Sequence, residues 1–372
     1  MKLKKIIIFY PSFERGGVEK IIINFIRFLL KKNIKIILIA SSLTININNK
    51  NFEFVKVNKK KIFKFNSRIS RAFQAIKNLN IELSKADNKD TIIFSLQSSS
   101  IAIPICKYKK FKVVVRNAED PIESTLHADD KFFSSITFFL KIVIYNFSNG
   151  IITNSNGSRR SLSKMLFNKH KIKTIYNPYL KKKIIFKRRF KKKRQILSIG
   201  RLVKQKDFFN LIKSFYLFNK KIDTYSMLIV GGGKLRKNLI NFIKSYSMQK
   251  KIKIVDWKYD LSKYYKESEL FILNSLYEGL GNVVIDAVNY ELPVIVTKCN
   301  SGPNEIILNN KGGYMVPIKS PELLARKISY CINNKNISMK KAFFAKKHIN
   351  RFDCNSNSQK YLNFLSKVFL DA

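Results

Sequence analysis

Histidine and cysteine are scarce in this chain and carboxylates are few: three histidines, four cysteines and 24 Asp and Glu among 372 residues. Cys106, Cys299, Cys331 and Cys354 stand far apart with no CxxC pair, which fits neither a disulfide framework nor a zinc site. His127, His170 and His348 are equally scattered. Unpaired thiols of this kind point to a reduced, cytosolic compartment. No window reaches 18 uncharged apolar residues, and the nearest, 132–147, is interrupted by Lys141 and several polar groups. A spanning helix is therefore not expected, while a helix lying on a membrane stays open. The start, MKLKKIIIFYPSF, lacks a small-residue cleavage site and runs into ERGGVEK, so it reads as a first buried strand rather than a signal peptide. A GxGxxG dinucleotide fingerprint is also missing.

Cations are abundant. Lys and Arg number 72, giving a formal net charge of +48, beside 30 Phe, 16 Tyr and 45% hydrophobic residues. That apolar content excludes a disordered basic tail. The length suggests two domains at roughly 150 residues each. The charge is spread, +22 over residues 1–180 and +16 over 195–372, with a local peak of +10 in KKKIIFKRRFKKKR at 181–194. An AT-rich coding sequence would inflate Lys, Asn and Ile without any function. It would not remove acids, so an anionic partner is the better account.

Short Ile/Val-rich runs at 5–10, 34–40, 91–95, 112–116 and 150–153 read as buried strands. Between the first two, Ile21, Ile22, Phe25, Phe28 and Leu29 recur at helical spacing. Strand, glycine turn, helix, strand is the βαβ unit of a parallel sheet. The second half repeats this with strands at 196–199, 226–230, 251–255, 270–274 and 293–297, and helices at 208–218, 234–246, 282–290 and 321–333. The expected architecture is α/β, with two doubly wound Rossmann-like lobes facing across a cleft. Residues 1–180 form the first lobe, 181–194 a basic linker, 195–345 the second lobe, and 346–372 a helical segment returning toward the first.

Three places carry candidate chemistry. Gly16 and Gly17 follow the first strand and open a helix whose N-terminus can face an anion, although a plain turn explains them equally well. In SIGRLVKQK, Gly200 ends a strand, and Arg201 and Lys206 lie five apart around the turn into the next helix. A planar guanidinium fork and an ammonium point charge suit a diphosphate; two solvated cations are the plainer account. In EGLGNVVID, Glu278 and Asp286 stand eight apart across a glycine turn and a helix start, where Asn282 and Val283 would present backbone amides. Carboxylates accept from sugar hydroxyls; helix capping by Glu278 with Asp286 on a solvated face is the structural alternative. No nearby histidine or third acid supports a metal.

With these motifs in place, the chain resembles the family 4 glycosyltransferases of the GT-B fold over essentially its whole length. The likeness is carried, in order, by PSFERGGVEK, TNSNGSRRSL, TIYNPY, SIGRLVKQKDFFNLIKSF, MLIVGGGKLR, LFILNSLYEGLGNVVIDAVNYELPVIVTKCNSGPNEII and GGYMVPIKSPELLARKI. The resemblance implies donor-diphosphate contacts from Gly16 and Gly17, and neutralisation of the leaving group by Arg201 and Lys206. It makes Glu278 the first acid of a Glu-x7-Glu motif that holds the transferred sugar, with Gly281, Asn282 and Val283 at the phosphates. Asp286 takes the place of the second, ribose-binding Glu and is one methylene shorter. Asp256 stands before Trp257 where the family often has Gly. Where many members carry a histidine, this chain has Arg116-Asn117-Ala118-Glu119-Asp120, which makes Arg116 and Asn117 acceptor-side candidates.

What the resemblance implies is a retaining transfer of a hexosyl or N-acetylhexosaminyl unit from a nucleotide diphosphate sugar, a UDP-sugar in first place. The acceptor would be a lipid-linked or cell-surface glycan in polysaccharide or lipopolysaccharide biosynthesis, and no metal or other cofactor is required. The expected location is cytoplasmic, peripheral on the inner face of the cytoplasmic membrane. Docking to anionic lipid would use the basic surplus, with 59–64 and 132–147 as candidate segments, each of which also reads as ordinary loop or core helix. The alternatives are a sugar-nucleotide epimerase or another GT-B-fold enzyme, and, further off, a basic nucleic-acid-binding protein, for which no reading module is present.

Overall fold

The computed structural model describes residues 2–11, 17–57, 67–128, 130–185 and 192–371. Contacts divide the chain into two compact units. One is Met1–Thr125 with Asp130–Tyr179 and Phe352–Ala372; the other is Leu126–Asp129 with Leu180–Arg351.

The first unit is built on seven strands: β1 Lys5–Tyr10, β2 Lys35–Ala40, β3 Phe52–Lys56, β4 Thr91–Ser95, β5 Lys112–Asn117, β6 Gly150–Thr153 and β7 Ile172–Thr174. They form one sheet in the order β3-β2-β1-β4-β5-β6-β7. Pairing is parallel throughout, and Ile7 registers with Ile37 on one side and Ile93 on the other. Runs such as KIIIFY are covered on both faces, which is why they are continuously apolar rather than alternating. On one face Ile6, Ile8, Ile36 and Leu38 pack beneath Phe25 and Leu29 of the Gly17–Leu30 helix and Tyr361 and Leu365 of the Cys354–Leu370 helix. On the other, Ile7, Phe9 and Ile37 meet Leu79 of the Ser67–Ser84 helix and Ile103 of the Ser99–Tyr108 helix. Tyr361 meets Phe25 and Phe94 edge-on, with ring centroids 5.5 and 5.7 Å away.

The second unit holds six strands: β8 Gln195–Ile199, β9 Ser226–Val230, β10 Ile252–Val255, β11 Leu270–Leu273, β12 Val294–Thr297 and β13 Tyr314–Val316. Their order is β10-β9-β8-β11-β12-β13, again all parallel. Leu211 and Phe215 of the Phe208–Asn219 helix pack with Leu324 and Ile328 of the Pro321–Asn333 helix on one face. In each sheet the first strand lies between the second and fourth, so winding reverses beside β1 and beside β8. In open α/β sheets ligands bind beyond the carboxyl ends of strands at such a reversal.

Both doubly wound lobes expected from the sequence are therefore present. Three strands go beyond that expectation, β3, β7 and β13, and each lies at a sheet edge. An edge strand needs only one partner and little apolar sequence; FEFVK is half exposed along its length. The candidate segment 59–64 and residues 186–191 of the basic stretch lie outside the described residues. Nearer its start, that stretch is held by Asn289, whose Nδ2 donates to the Lys182 carbonyl at 3.2 Å and whose Oδ1 accepts from the Ile184 amide at 3.0 Å. All four cysteines are buried free thiols. No described helix is long and apolar enough to cross a membrane.

Candidate active site

The loops after β8 and β11 leave the carboxyl ends of neighbouring strands, and the second unit gathers its chemistry there. β8 runs into Gly200, whose amide donates to the Val230 carbonyl at 3.0 Å. The next strand approaches so closely that a Cβ on Gly231 would stand 1.9 Å from the Gly200 carbonyl oxygen. Only glycine fits there. Beyond the short Lys204–Lys206 turn, Asp207 takes a left-handed conformation at φ 42° and starts the Phe208–Asn219 helix. This reversal sends the Lys206 side chain back across the strand end, where its alkyl stem lies over Gly200.

The Lys206 ammonium meets the Glu278 carboxylate directly. Both side chains are nearly out of water, at 13% and 9% exposure. Glu278 Oε1 also accepts from the Ser275 hydroxyl at 2.8 Å, and its main-chain carbonyl accepts from the Ser301 hydroxyl at 2.6 Å. The loop around it is tied to the cationic turn by backbone and amide bonds. The Leu276 amide donates to the Gln205 carbonyl at 2.8 Å, and Gln205 Nε2 donates to the Tyr277 carbonyl at 3.0 Å. Asn274 adds a bond of 2.7 Å to the Asp207 carbonyl. Thr297 at the end of β12 accepts from the Ser275 amide at 2.9 Å and so fixes the loop's base. Glu278 is thus a held acid rather than a helix cap. The cap of the Asn282–Asn289 helix is Gly281, at φ 84°, with no side-chain bond.

Arg201 shares the cationic turn but stays exposed, with Nη2 donating to Gln205 Oε1 at 3.3 Å. Asn282 and Val283 form the first turn of their helix, and the Val283 carbonyl accepts from the Tyr265 hydroxyl at 3.2 Å. Asp286 is half-buried one turn further on, near the parallel, stacked rings of Tyr265 and Tyr290, 5.2 Å apart. Burial first, and then the Asp286 charge, push the Tyr265 phenol well above its ordinary value. Asp256 pairs with Arg236 at 3.1 Å.

Lys206 and Glu278 are therefore in contact, Arg201 stands on the same turn, and Asp286 lies on the helix that the Glu278 loop leads into. In the first unit, Gly17 opens the Gly17–Leu30 helix, and Gly16 lies outside the described residues. Arg116, 2% exposed, is enclosed in that unit, its Nε donating to the Tyr361 hydroxyl at 3.2 Å and its Nη2 to Asn177 Oδ1 at 2.6 Å. Asn117 is also buried, with Nδ2 donating to the Glu119 carbonyl. Sequence reasoning missed Ser275, Ser301, Gln205 and Thr297 as supports of the acid. Ser275, three residues before Glu278, was findable by proximity; the others come from distant loops. It also missed His127, whose ring stacks on Tyr277 at 6.0 Å.

Residues 181–348 match the family model described as Glycosyl transferases group 1. Over that part the chain is similar to glycosyltransferases, and its two parallel-sheet α/β units have the fold of solved GT-B glycosyltransferases. The amylovoran biosynthesis glycosyltransferase AmsD of Erwinia amylovora is 35% identical over 147 residues, covering 40% of this chain and 41% of that protein. A Campylobacter jejuni alpha-1,4-N-acetyl-D-galactosaminyltransferase, named for a PP-undecaprenol-linked substrate, is 23% identical over 374 residues, covering 98% of this chain and 99% of that protein. The chain spans 39–50% of the length of the curated relatives that it matches at 30% identity or more. Anabaena Alr3699/HepE, crystallised with UDP and glucose, superposes with a TM-score of 0.77 at 16% identity, over 98% of this chain and 99% of that one.

Proposed function

We propose that the protein is a retaining glycosyltransferase that moves a hexosyl or N-acetylhexosaminyl unit from a UDP-sugar to a lipid-linked glycan. The observation that carries this reading is the Lys206–Glu278 contact at the carboxyl ends of adjacent strands, beside the point where the sheet's winding reverses. One of the three ammonium protons engages Glu278, which leaves two for a phosphate oxygen. Both Glu278 side-chain contacts fall on Oε1, so Oε2 is the oxygen that accepts from a sugar hydroxyl. Arg201, exposed on the same turn, completes the cationic end of a diphosphate site, with the amides of Asn282 and Val283 at the helix start. Asp286 takes the ribose hydroxyls.

In the reaction, the bond from the sugar's anomeric carbon to the diphosphate oxygen breaks and its electron pair stays on that oxygen. Lys206, Arg201 and the helix N-terminus take up the charge. The acceptor hydroxyl bonds to the same face of the oxocarbenium-like centre, and its proton passes to the departing diphosphate. These groups require no metal. UDP is favoured because UDP appears in the name of the HepE structure and UDP-Gal in that of an Escherichia coli galactosyltransferase 25% identical over 176 residues. A lipid acceptor is favoured because both that enzyme and the Campylobacter relative carry an undecaprenol carrier in their names. Such an acceptor places the protein peripherally on the inner face of the cytoplasmic membrane, against anionic lipid.

Incubation with labelled UDP-sugars, with and without membrane extract, tests the reading. Label transferred into lipid is expected, and Glu278→Ala and Arg201→Ala should fold yet lose that transfer. Isomerised donor would replace the proposal with an epimerase, and full activity in either variant would remove the site.

A further inference from the structure

The helix Lys131–Tyr145 has an apolar side that nothing in the described chain covers. Phe132, Phe133 and Phe139 are 71%, 68% and 66% exposed, with Ile136, Leu140 and Val143 on the same stripe and Phe147 just beyond. Their spacing repeats every three to four residues, so they share one helix face. The opposite side, through Ile142 and Tyr145, packs into the first unit's core. Phe167, 93% exposed, is tethered beside the helix end by its amide, which donates to Asn146 Oδ1 at 3.0 Å. A soluble chain does not normally leave this much aromatic surface contiguous in water.

The surrounding charge selects the occupant. From Lys131 to Tyr179, the first unit's part of the chain after the helix cap Asp130, the sequence carries eight Lys and Arg and not one Asp or Glu. Within that window, Arg159, Arg160, Lys164 and Lys169 are exposed. Lys141, the one charge in the helix after its first residue, folds back over the Tyr145 ring at 5.3 Å. On the helix that packs against this one, Lys107 is held below its ordinary value by burial and then by the neighbouring Lys171. A second copy of the chain would bring the same positive charge to the contact, and a neutral apolar partner would leave it uncompensated. A surface offering both hydrocarbon and negative charge satisfies both halves.

We infer that the 131–145 helix lies in the plane of an anionic bilayer, its phenylalanines below the headgroups and the exposed first-unit cations Arg159, Arg160, Lys164 and Lys169 facing the lipid phosphates. This deepens the membrane part of the proposed function, which left open the face that docks, and its test does not depend on catalysis. Vesicles of phosphatidylcholine alone and of phosphatidylcholine with one-quarter phosphatidylglycerol are floated with the purified protein at low and high salt. The wild type should bind the anionic vesicles at least tenfold better than the neutral ones, and high salt should release most of it. The Phe132→Ser/Phe139→Ser double variant should bind anionic vesicles about 100-fold more weakly, roughly tenfold per side chain. Both positions are exposed, so its melting temperature and its affinity for UDP should match the wild type. Wild-type flotation retained in the variant, equal binding to neutral vesicles, or a concentration-dependent dimer that the variant abolishes would each overturn the inference. Loss of vesicle binding with UDP affinity intact separates a failure here from a failure of the donor site.

Discussion

Replacing Lys206 by Met keeps the alkyl stem that lies over Gly200 and deletes the charge that meets Glu278. Removing one partner of a buried ion pair costs about 3–5 kcal/mol, because the other charge is stranded. Here the lower end applies, since the Ser275 hydroxyl still donates to Glu278 Oε1 at 2.8 Å. Glu278→Gln is milder, about 1–2 kcal/mol, because the amide keeps an acceptor for Ser275 and the ammonium, 13% exposed, can turn to water. With neither charge present, the double variant should lie within about 1 kcal/mol of wild type, a coupling of roughly 3 kcal/mol. Turnover behaves differently. Each single variant should lose about 10²–10³-fold in donor-dependent transfer, and the double should recover none of it. Urea unfolding followed by the single tryptophan, Trp257, reports on the second unit specifically, which matters in a two-unit chain where global two-state behaviour is not assured. Additive stability changes would show that the pair does not form, and restored turnover in the double variant would remove both groups from the chemistry.

Asp207 offers a pH-dependent test. Burial holds its carboxyl above the ordinary value of 3.8, so the folded state retains a proton that the unfolded chain has lost. Stability therefore falls as pH rises from 3.8 to the folded value, and Asp207→Asn should raise the unfolding midpoint at pH 7 but not below pH 3.8. Asparagine also suits the left-handed backbone there. Cys106 and Cys331 are pushed up to about 12 by burial, and all four thiols are enclosed. At pH 8 about 10⁻⁴ of each would be thiolate, so Ellman's reagent should titrate no thiol in the native protein and four in denaturant. Gly231→Ala should cost about 3 kcal/mol or more, read from the same urea transition, because its methyl group would meet the Gly200 carbonyl.

The central strands were legible because burial on both faces writes itself as uninterrupted Ile and Val, as in KIIIFY and TIIFS. Helix starts were legible where glycine sits next to a periodic run, as at Gly281 before Asn282. Three of the four edge strands, β3, β7 and β13, were not, since one-sided pairing needs little apolar sequence; the fourth, β10, keeps enough Ile and Val in IKIV to be read. At the site, the sequence set Lys206 beside Arg201 and Glu278 beside Asp286 as candidate groups, but the contact between Lys206 and Glu278 depends on Asp207 reversing the backbone and on Gly231 letting two strand ends meet. Neither is a local property of the two side chains. Arg116 shows the opposite limit. The resemblance made it an acceptor-side candidate, and the fold gives its buried guanidinium partners that no local pattern announces: Tyr361, 245 positions away, and Asn177.

That long-range bond belongs to a wider dependence. The Cys354–Leu370 helix shares with the Gly17–Leu30 helix one face of a sheet whose strands all precede residue 180, while the second unit's sheet is complete by Val316. On the ribosome, the half translated earlier must wait for this late segment, its Phe25 and Phe94 bare on one side, while the later half can already close. Order of synthesis and order of folding are thus inverted. Truncating the chain before Cys354 should therefore produce chaperone-bound or aggregated protein in which the half made first is the unfinished one.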